Sequence, residues 1–257
     1  MKQPIELSLQ SYMPKTPLLK DDAELRVQLA AAYRLMDRFG WSELTETHIS
    51  ARLPNTEDYF LLNPYGMMFD EITASSLVKV DFTGNIIDNS EWRINPTGFV
   101  IHSGVLNGRQ DINCVLHTHS PYSTAVSMLE CGLLPISQFA LQFYNRVAYH
   151  DYEGLALDLS ERERLIKDLG DKNVMVLRNH GLLTVGRTIA EAFTLMFYFE
   201  KACKVQILAQ STGSPLIIPS EDVCNKSMMA QNVDDLGQLK WQALIRMLDR
   251  EDPSYRD

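Results

Sequence analysis

Ile112-Asn113-Cys114-Val115-Leu116-His117-Thr118-His119-Ser120-Pro121 is the stretch that decides how this chain folds. Ile112 to Leu116 is mostly apolar and reads as a strand, and Pro121 suits the first turn of a following helix. Residues i and i+2 of a strand share a face, so the imidazoles of His117 and His119 converge. A second apolar run, Val174 to Leu177, is a buried-type strand that leads into Arg178-Asn179-His180-Gly181. His180 can therefore arrive from a neighbouring strand end, and Gly181 would let the backbone approach a ligand closely. Three imidazoles and an open position describe a catalytic zinc site. Surface histidines, or histidines that hydrogen-bond to other groups, are the alternatives that spacing leaves open.

Working outward, Asp21-Asp22 opens a helix with Leu25, Leu29, Ala32, Tyr33 and Met36 at helical steps, and Gly40 stops it. Short strand-like runs follow at His48–Leu53, Tyr59–Leu62 and Leu77–Phe82, the last turning at Thr83-Gly84-Asn85 into Ile86-Ile87. Helices are expected over Thr97–Leu106 and Pro121–Glu130, and a strand over Val147–Tyr149. Capping boxes at Ser160/Glu163 and Thr188/Glu191 open helices running to Leu169 and to about Ala209. The second of these is apolar on most sides, so neighbouring elements or another subunit must cover it. A last helix spans Gln238–Arg250. Helices and strands mix without regular βαβ alternation, which favours a layered α/β sandwich with a mainly antiparallel sheet.

The length, 257 residues, fits one large domain. Residues 1–20 carry Pro4, Pro14 and Pro17 and read as an extended arm; residues 21–257 read as a single domain that includes the helical tail. The net charge of −9 and the absence of a basic run argue against nucleic acid or an anionic membrane as partners. No apolar stretch approaches the roughly 18 residues of a membrane span. The N-terminus has no secretory-type apolar region, and Cys114, Cys131, Cys203 and Cys224 are scattered, as in reduced cytoplasmic proteins. His102 reads as a buried hydrogen-bonding residue, and His150 as a loop or strand-end residue.

The segment His117-Thr118-His119-Ser120-Pro121-Tyr122-Ser123-Thr124-Ala125, with Arg178-Asn179-His180-Gly181, resembles the class II aldolase/adducin family over roughly residues 22–210. The resemblance implies a class II aldolase-like three-layer α/β/α sandwich with a central, mainly antiparallel sheet. It also implies metal ligation by His117, His119 and His180, with Zn2+ or another divalent transition metal, and a homotetramer with sites at subunit boundaries. Family aldolases carry a catalytic glutamate where this chain has Gly98, in Asn95-Pro96-Thr97-Gly98-Phe99-Val100-Ile101-His102. Their phosphate loops correspond to Thr47-His48-Ile49-Ser50, Asn63-Pro64-Tyr65-Gly66 and Pro96-Thr97. With His48 and Tyr65 in those loops, a typical sugar phosphate is not the expected substrate. Gly40-Trp41-Ser42, Cys131-Gly132-Leu133-Leu134-Pro135-Ile136-Ser137 and the run Ala243 to Asp249 are similar to adducin heads.

Two functions follow from the resemblance. One is a zinc-dependent aldolase-type lyase, or related enediolate chemistry, on a small hydroxy-carbonyl compound. Its substrate would lie near His48, Tyr65, Gly66 and Thr97, and its proton carrier is Glu46, Tyr122, His48, Tyr65 or a group from an adjacent subunit. The other is a non-catalytic adducin-like scaffold of the actin-cytoskeleton type, with a structural or vestigial metal.

Overall fold

The computed structural model describes residues 21–154, 160–231 and 233–257, so the expected arm at 1–20 lies outside the described residues. The first helix, α1 (Asp22–Arg38), begins where the Asp21 carboxylate accepts the Ala23 N–H at 3.1 Å. It ends in a Schellman motif. Gly40 takes φ +70°, its N–H reaches the Asp37 carbonyl at 2.8 Å, and the Trp41 N–H reaches Met36 at 2.9 Å. Leu25, Leu29, Ala32, Tyr33 and Met36 are all buried, as their spacing requires.

Seven strands follow in spatial order β3-β2-β1-β4-β7-β6-β5. They are β1 (His48–Arg52), β2 (Tyr59–Leu62), β3 (Val78–Asp81), β4 (Cys114–Thr118), β5 (Val147–His150), β6 (Val174–Leu177) and β7 (Gly181–Gly186). Every neighbouring pair is antiparallel except β5 with β6. The mainly antiparallel sheet read from the sequence is therefore present. Odd and even strand residues feed two cores. Ile49, Cys114, Leu116, Val176 and Leu182 pack with α1, α6 (Ile189–Gln210) and α8 (Val233–Glu251). Val115, Met175, Leu183 and Val185 pack with Ile101 and Val105 of α2 (Pro96–Gly108) and Leu165 of α5 (Glu161–Leu169). Helices on both sheet faces make the three layers an α/β/α sandwich.

Several local expectations change. β7 was not anticipated as a strand, although Gly181-Leu182-Leu183-Thr184-Val185-Gly186 is a six-residue buried run. The helix from Pro121, α3 (Pro121–Ser127), stops short of Glu130. α4 (Gln138–Leu141) and α7 (Glu221–Ala230) are additional. Ile86 joins Val80 through an isolated bridge instead of extending a strand. Ser160 is already helical (φ −69°, ψ −21°) and its side chain makes no cap, so the expected Ser160/Glu163 box does not form. At Thr188 the cap is real, since its hydroxyl accepts the Glu191 N–H at 3.2 Å. The Glu191 carboxylate, however, takes the Arg187 N–H at 2.9 Å. The apolar α6 is covered largely within the chain, by β4, β7, α3, α4 and α8. No helix among the described residues is long and apolar enough to cross a membrane.

Candidate metal centre

Strand register builds the centre. His117 pairs with Leu183 and His48, in the ladders to β7 and β1 respectively. His119 lies just past the end of β4. His180 occupies the β6–β7 turn, where Asn179 takes φ +56° and the His180 N–H returns to the Leu177 carbonyl at 3.1 Å. Any side chain on Gly181 would collide with the Thr118 carbonyl. The glycine thus allows backbone to approach backbone, which sets the β7 and β4 ends, and with them His180 and His119, side by side.

The Nε2 atoms of His117 and His119 are 3.0 Å apart, and those of His119 and His180 are 2.9 Å apart. Outward hydrogen bonds fix two tautomers. His117 donates Nδ1–H to the Leu182 carbonyl at 3.1 Å, and His119 donates Nδ1–H to the Glu43 carboxylate at 2.5 Å. Both acceptors lack a proton to give, so the two Nε2 atoms face each other as lone pairs. Lone pairs held about 3 Å apart repel unless a cation lies between them, and an ion about 2.0–2.1 Å from each imidazole fits that separation. Burial drives the His117 imidazole well below its ordinary range, with the neighbouring imidazoles adding to the effect. Burial and then His119 bring His180 down to about 4. Neutral imidazole is the form that ligates metal. Among the described residues this is the one group of three or more His, Cys, Asp or Glu side chains close enough to share an ion.

One tight turn serves both the centre and its surroundings. The Glu46 N–H bonds the Glu43 carbonyl at 2.8 Å, with Leu44 between them at φ +48° and Thr47 after them at φ +68°. Glu43 thus reaches His119 while Glu46 faces the start of α2. The Glu46 carboxylate accepts from Asn95 Nδ2 at 3.0 Å and from the Tyr65 hydroxyl at 3.4 Å. Asn95 Oδ1 in turn accepts the Thr97 N–H at 3.1 Å and the Thr97 hydroxyl at 2.8 Å, capping α2. Glu46 is therefore bonded directly to Tyr65 and joined through Asn95 to Thr97. Gly66 takes φ +104° in the turn that the Met67 N–H closes on Pro64, the position where such a turn requires positive φ.

His48 is buried beside His117, and burial, then His119 and His180, lowers its pKa to about 3. Tyr122 is placed differently. Its ring lies under the Lys204 ammonium, 5.3 Å from the ring centre, and against the α6-side core. His102 is fully buried with Nδ1 2.7 Å from the Ser50 hydroxyl, and His150 ends β5 with Nδ1 2.7 Å from Asp168. Glu43 and Asn95 were missed from sequence. Their contacts span 76 and 49 residues, and no periodicity announces them. Glu200 was missed too. Its buried carboxylate accepts the Ser120 hydroxyl at 2.9 Å and the Tyr122 and Ser123 N–H groups at 3.2 and 2.9 Å, which pins the turn after His119.

The family model described as Class II Aldolase and Adducin N-terminal domain matches residues 27–207. A Caulobacter vibrioides protein, provisionally named an aldolase class 2 protein, is 48% identical over 237 residues, covering 91% of this chain and 92% of that protein. Mouse alpha-adducin is 40% identical over 247 residues; the match covers 90% of this chain but 34% of the adducin. The solved L-fuculose 1-phosphate aldolase of Glaciozyma antarctica superposes with a TM-score of 0.82 at 28% identity, covering 95% of this chain and 97% of that one. On these matches the chain belongs to the class II aldolase and adducin family.

Proposed function

We propose that this protein is a metal-dependent lyase of the aldolase type, acting on a small hydroxy-carbonyl substrate other than a typical sugar phosphate. The observation that carries the reading is the convergence of the His117, His119 and His180 Nε2 atoms, two of them with the Nδ1 proton already committed outward. A divalent transition metal held there, zinc foremost, supplies Lewis-acid polarisation of the substrate's oxygens. His48, Tyr65, Gly66 and Thr97 border the space for the rest of the substrate. His48 stays uncharged at neutral pH, so it offers a hydroxyl or carbonyl a hydrogen bond and offers a phosphate no charge.

Glu46 is the preferred proton carrier, because Asn95 and Tyr65 fix its carboxylate. It takes the proton of the substrate hydroxyl as the adjacent carbon–carbon bond breaks and that carbon becomes a carbonyl; the electron pair passes into the fragment bearing the original carbonyl, and the proton is then returned to that fragment's carbon. Tyr122 is the alternative carrier, and Tyr122→Phe against Glu46→Gln separates the two. The test of the whole reading is turnover and hydrogen–deuterium exchange by metal-loaded protein over a panel of aldols, ketoses and hydroxy acids. Silence across the panel, with metal bound, defeats it.

A second reading has one observation in its favour: 40% identity to alpha-adducin over nearly the whole chain, with glycine at position 98. In that case the protein is a non-catalytic scaffold of the actin-cytoskeleton type, and metal-loaded protein co-sediments with filamentous actin. We also propose a cytoplasmic homotetramer, for which sedimentation of only monomer is the defeating result.

A further inference from the structure

The ring of His48 stands face to face with that of His117, at 6.2 Å between centroids and 19° between planes. The ring of His102 meets it edge-on at 5.6 Å and 83°. His48 is 5% exposed and His102 fully buried. Nevertheless Nδ1 and Nε2 of His48 and Nε2 of His102 have no hydrogen-bond partner among the described residues. Buried polar atoms without partners are few in native proteins, and three on two touching rings point to a group they receive. Behind His48 lies Gly98 of α2. A Cβ there would come within 2.5 Å of His48 Cδ2 and 2.6 Å of Cγ and Nε2. Real Cβ atoms essentially never approach that closely, and His102 and His117 hold the ring on two sides. A side chain at 98 and the observed position of His48 exclude each other.

We propose that Gly98, His48 and His102 form one specificity-determining unit. Gly98 leaves the slot, His102 (held by Ser50) positions the ring, and the His48 nitrogens receive an uncharged hydroxyl or carbonyl of the substrate beside the three metal-binding histidines. The proposal rests on the hydroxy-carbonyl reading above, including its preference against a sugar phosphate, and names the residues that meet the substrate there.

The test has two arms on the full chain. The first is a thermal-unfolding cycle of G98A, H48A and G98A/H48A. With His48 present, G98A lowers Tm by several degrees. In the H48A background it leaves Tm unchanged or raises it, because alanine is the better helix former. Equal losses in both backgrounds overturn the exclusion. The second arm titrates cobalt(II)-loaded protein with dihydroxyacetone and with dihydroxyacetone phosphate, following the cobalt absorption bands. Wild type binds dihydroxyacetone the more tightly. H48A, G98A and H102A each lose about tenfold or more of that affinity, and of the selectivity over the phosphate, while cobalt stoichiometry is unchanged. Unaltered selectivity in any of the three removes that residue from the unit. A wild-type spectrum that dihydroxyacetone leaves unmoved defeats the substrate reading and the unit's role with it, while the thermal cycle still decides whether the two side chains exclude each other.

Discussion

The two groups of imidazoles on the α2-facing side of the sheet and its end differ in one respect. In the group of His117, His119 and His180, two outward nitrogens are satisfied, by Leu182 and Glu43, and the inward ones crowd together. In the pair of His48 and His102, only the Ser50 contact is made and three nitrogens are left over. The first arrangement is complete apart from a point charge. The second lacks neutral hydrogen-bonding partners, which a metal ion does not supply to a ring N–H. Burial alone does not distinguish them, since His117 and His102 are both at most 2% exposed. What separates the two groups is which ring nitrogens already have partners.

The largest expected effect breaks the comparison outright. His117→Ala and His180→Ala each abolish stoichiometric metal by elemental analysis, whereas His48→Ala retains it; metal surviving in the first two shows that they are not ligands. Next comes Glu43→Gln, which keeps the shape but weakens the acceptor on His119. Metal affinity should fall by about 10- to 100-fold in a competition titration with a chromophoric chelator. Unchanged affinity makes Glu43 a bystander.

Acid stability sharpens the other side. Burial holds the His102 imidazole well below its ordinary value of 6.5, with His48 adding to the effect. Above about pH 6.5 neither state binds this proton; below it the unfolded chain does and the folded chain does not. Stability therefore falls as pH drops. His102→Gln removes this contribution and flattens the metal-free protein's acid limb by about 1.4 kcal/mol per pH unit in urea unfolding. Parallel limbs would mean that His102 is already protonated in the fold. The smallest effect is that of Asn95→Ala, which removes the α2 cap and one anchor of Glu46. It costs about 1 kcal/mol of stability, and any loss of turnover appears in kcat more than in metal content.

The clustering of the three histidines was legible because it depends on strand period: His117 and His119 are two apart, and Val174–Leu177 delivers His180. The layered sheet was legible from short β-like runs between helices, and α1 from its apolar steps and Gly40. β7 was missed because His180-Gly181 reads as the end of a strand, although the six residues from Gly181 carry the signature of a buried one. What periodicity cannot carry is the tertiary support. Glu43 and Asn95 lie on irregular backbone, and their partners are set by how the loops fold back. The non-glycine residues Leu44, Thr47 and Asn179 adopt left-handed conformations that composition does not predict. Tyr122, singled out from its neighbourhood to the histidine pair, has its ring 5.3 Å from the Lys204 ammonium, a contact between residues far apart in sequence that no local pattern announces.

The turn from Glu43 to Glu46 has a mutational consequence. The three clustered histidines are held by strand register and by the close passage at Gly181. The turn belongs to no strand, and through four residues it touches both His119, from Glu43, and Asn95, from Glu46. A substitution in these four residues can therefore act on both contacts while leaving the strands that carry the histidine cluster in place. The limit is length: an insertion between residues 43 and 46 would break the 2.8 Å bond from the Glu46 N–H to the Glu43 carbonyl and uncouple the two glutamates.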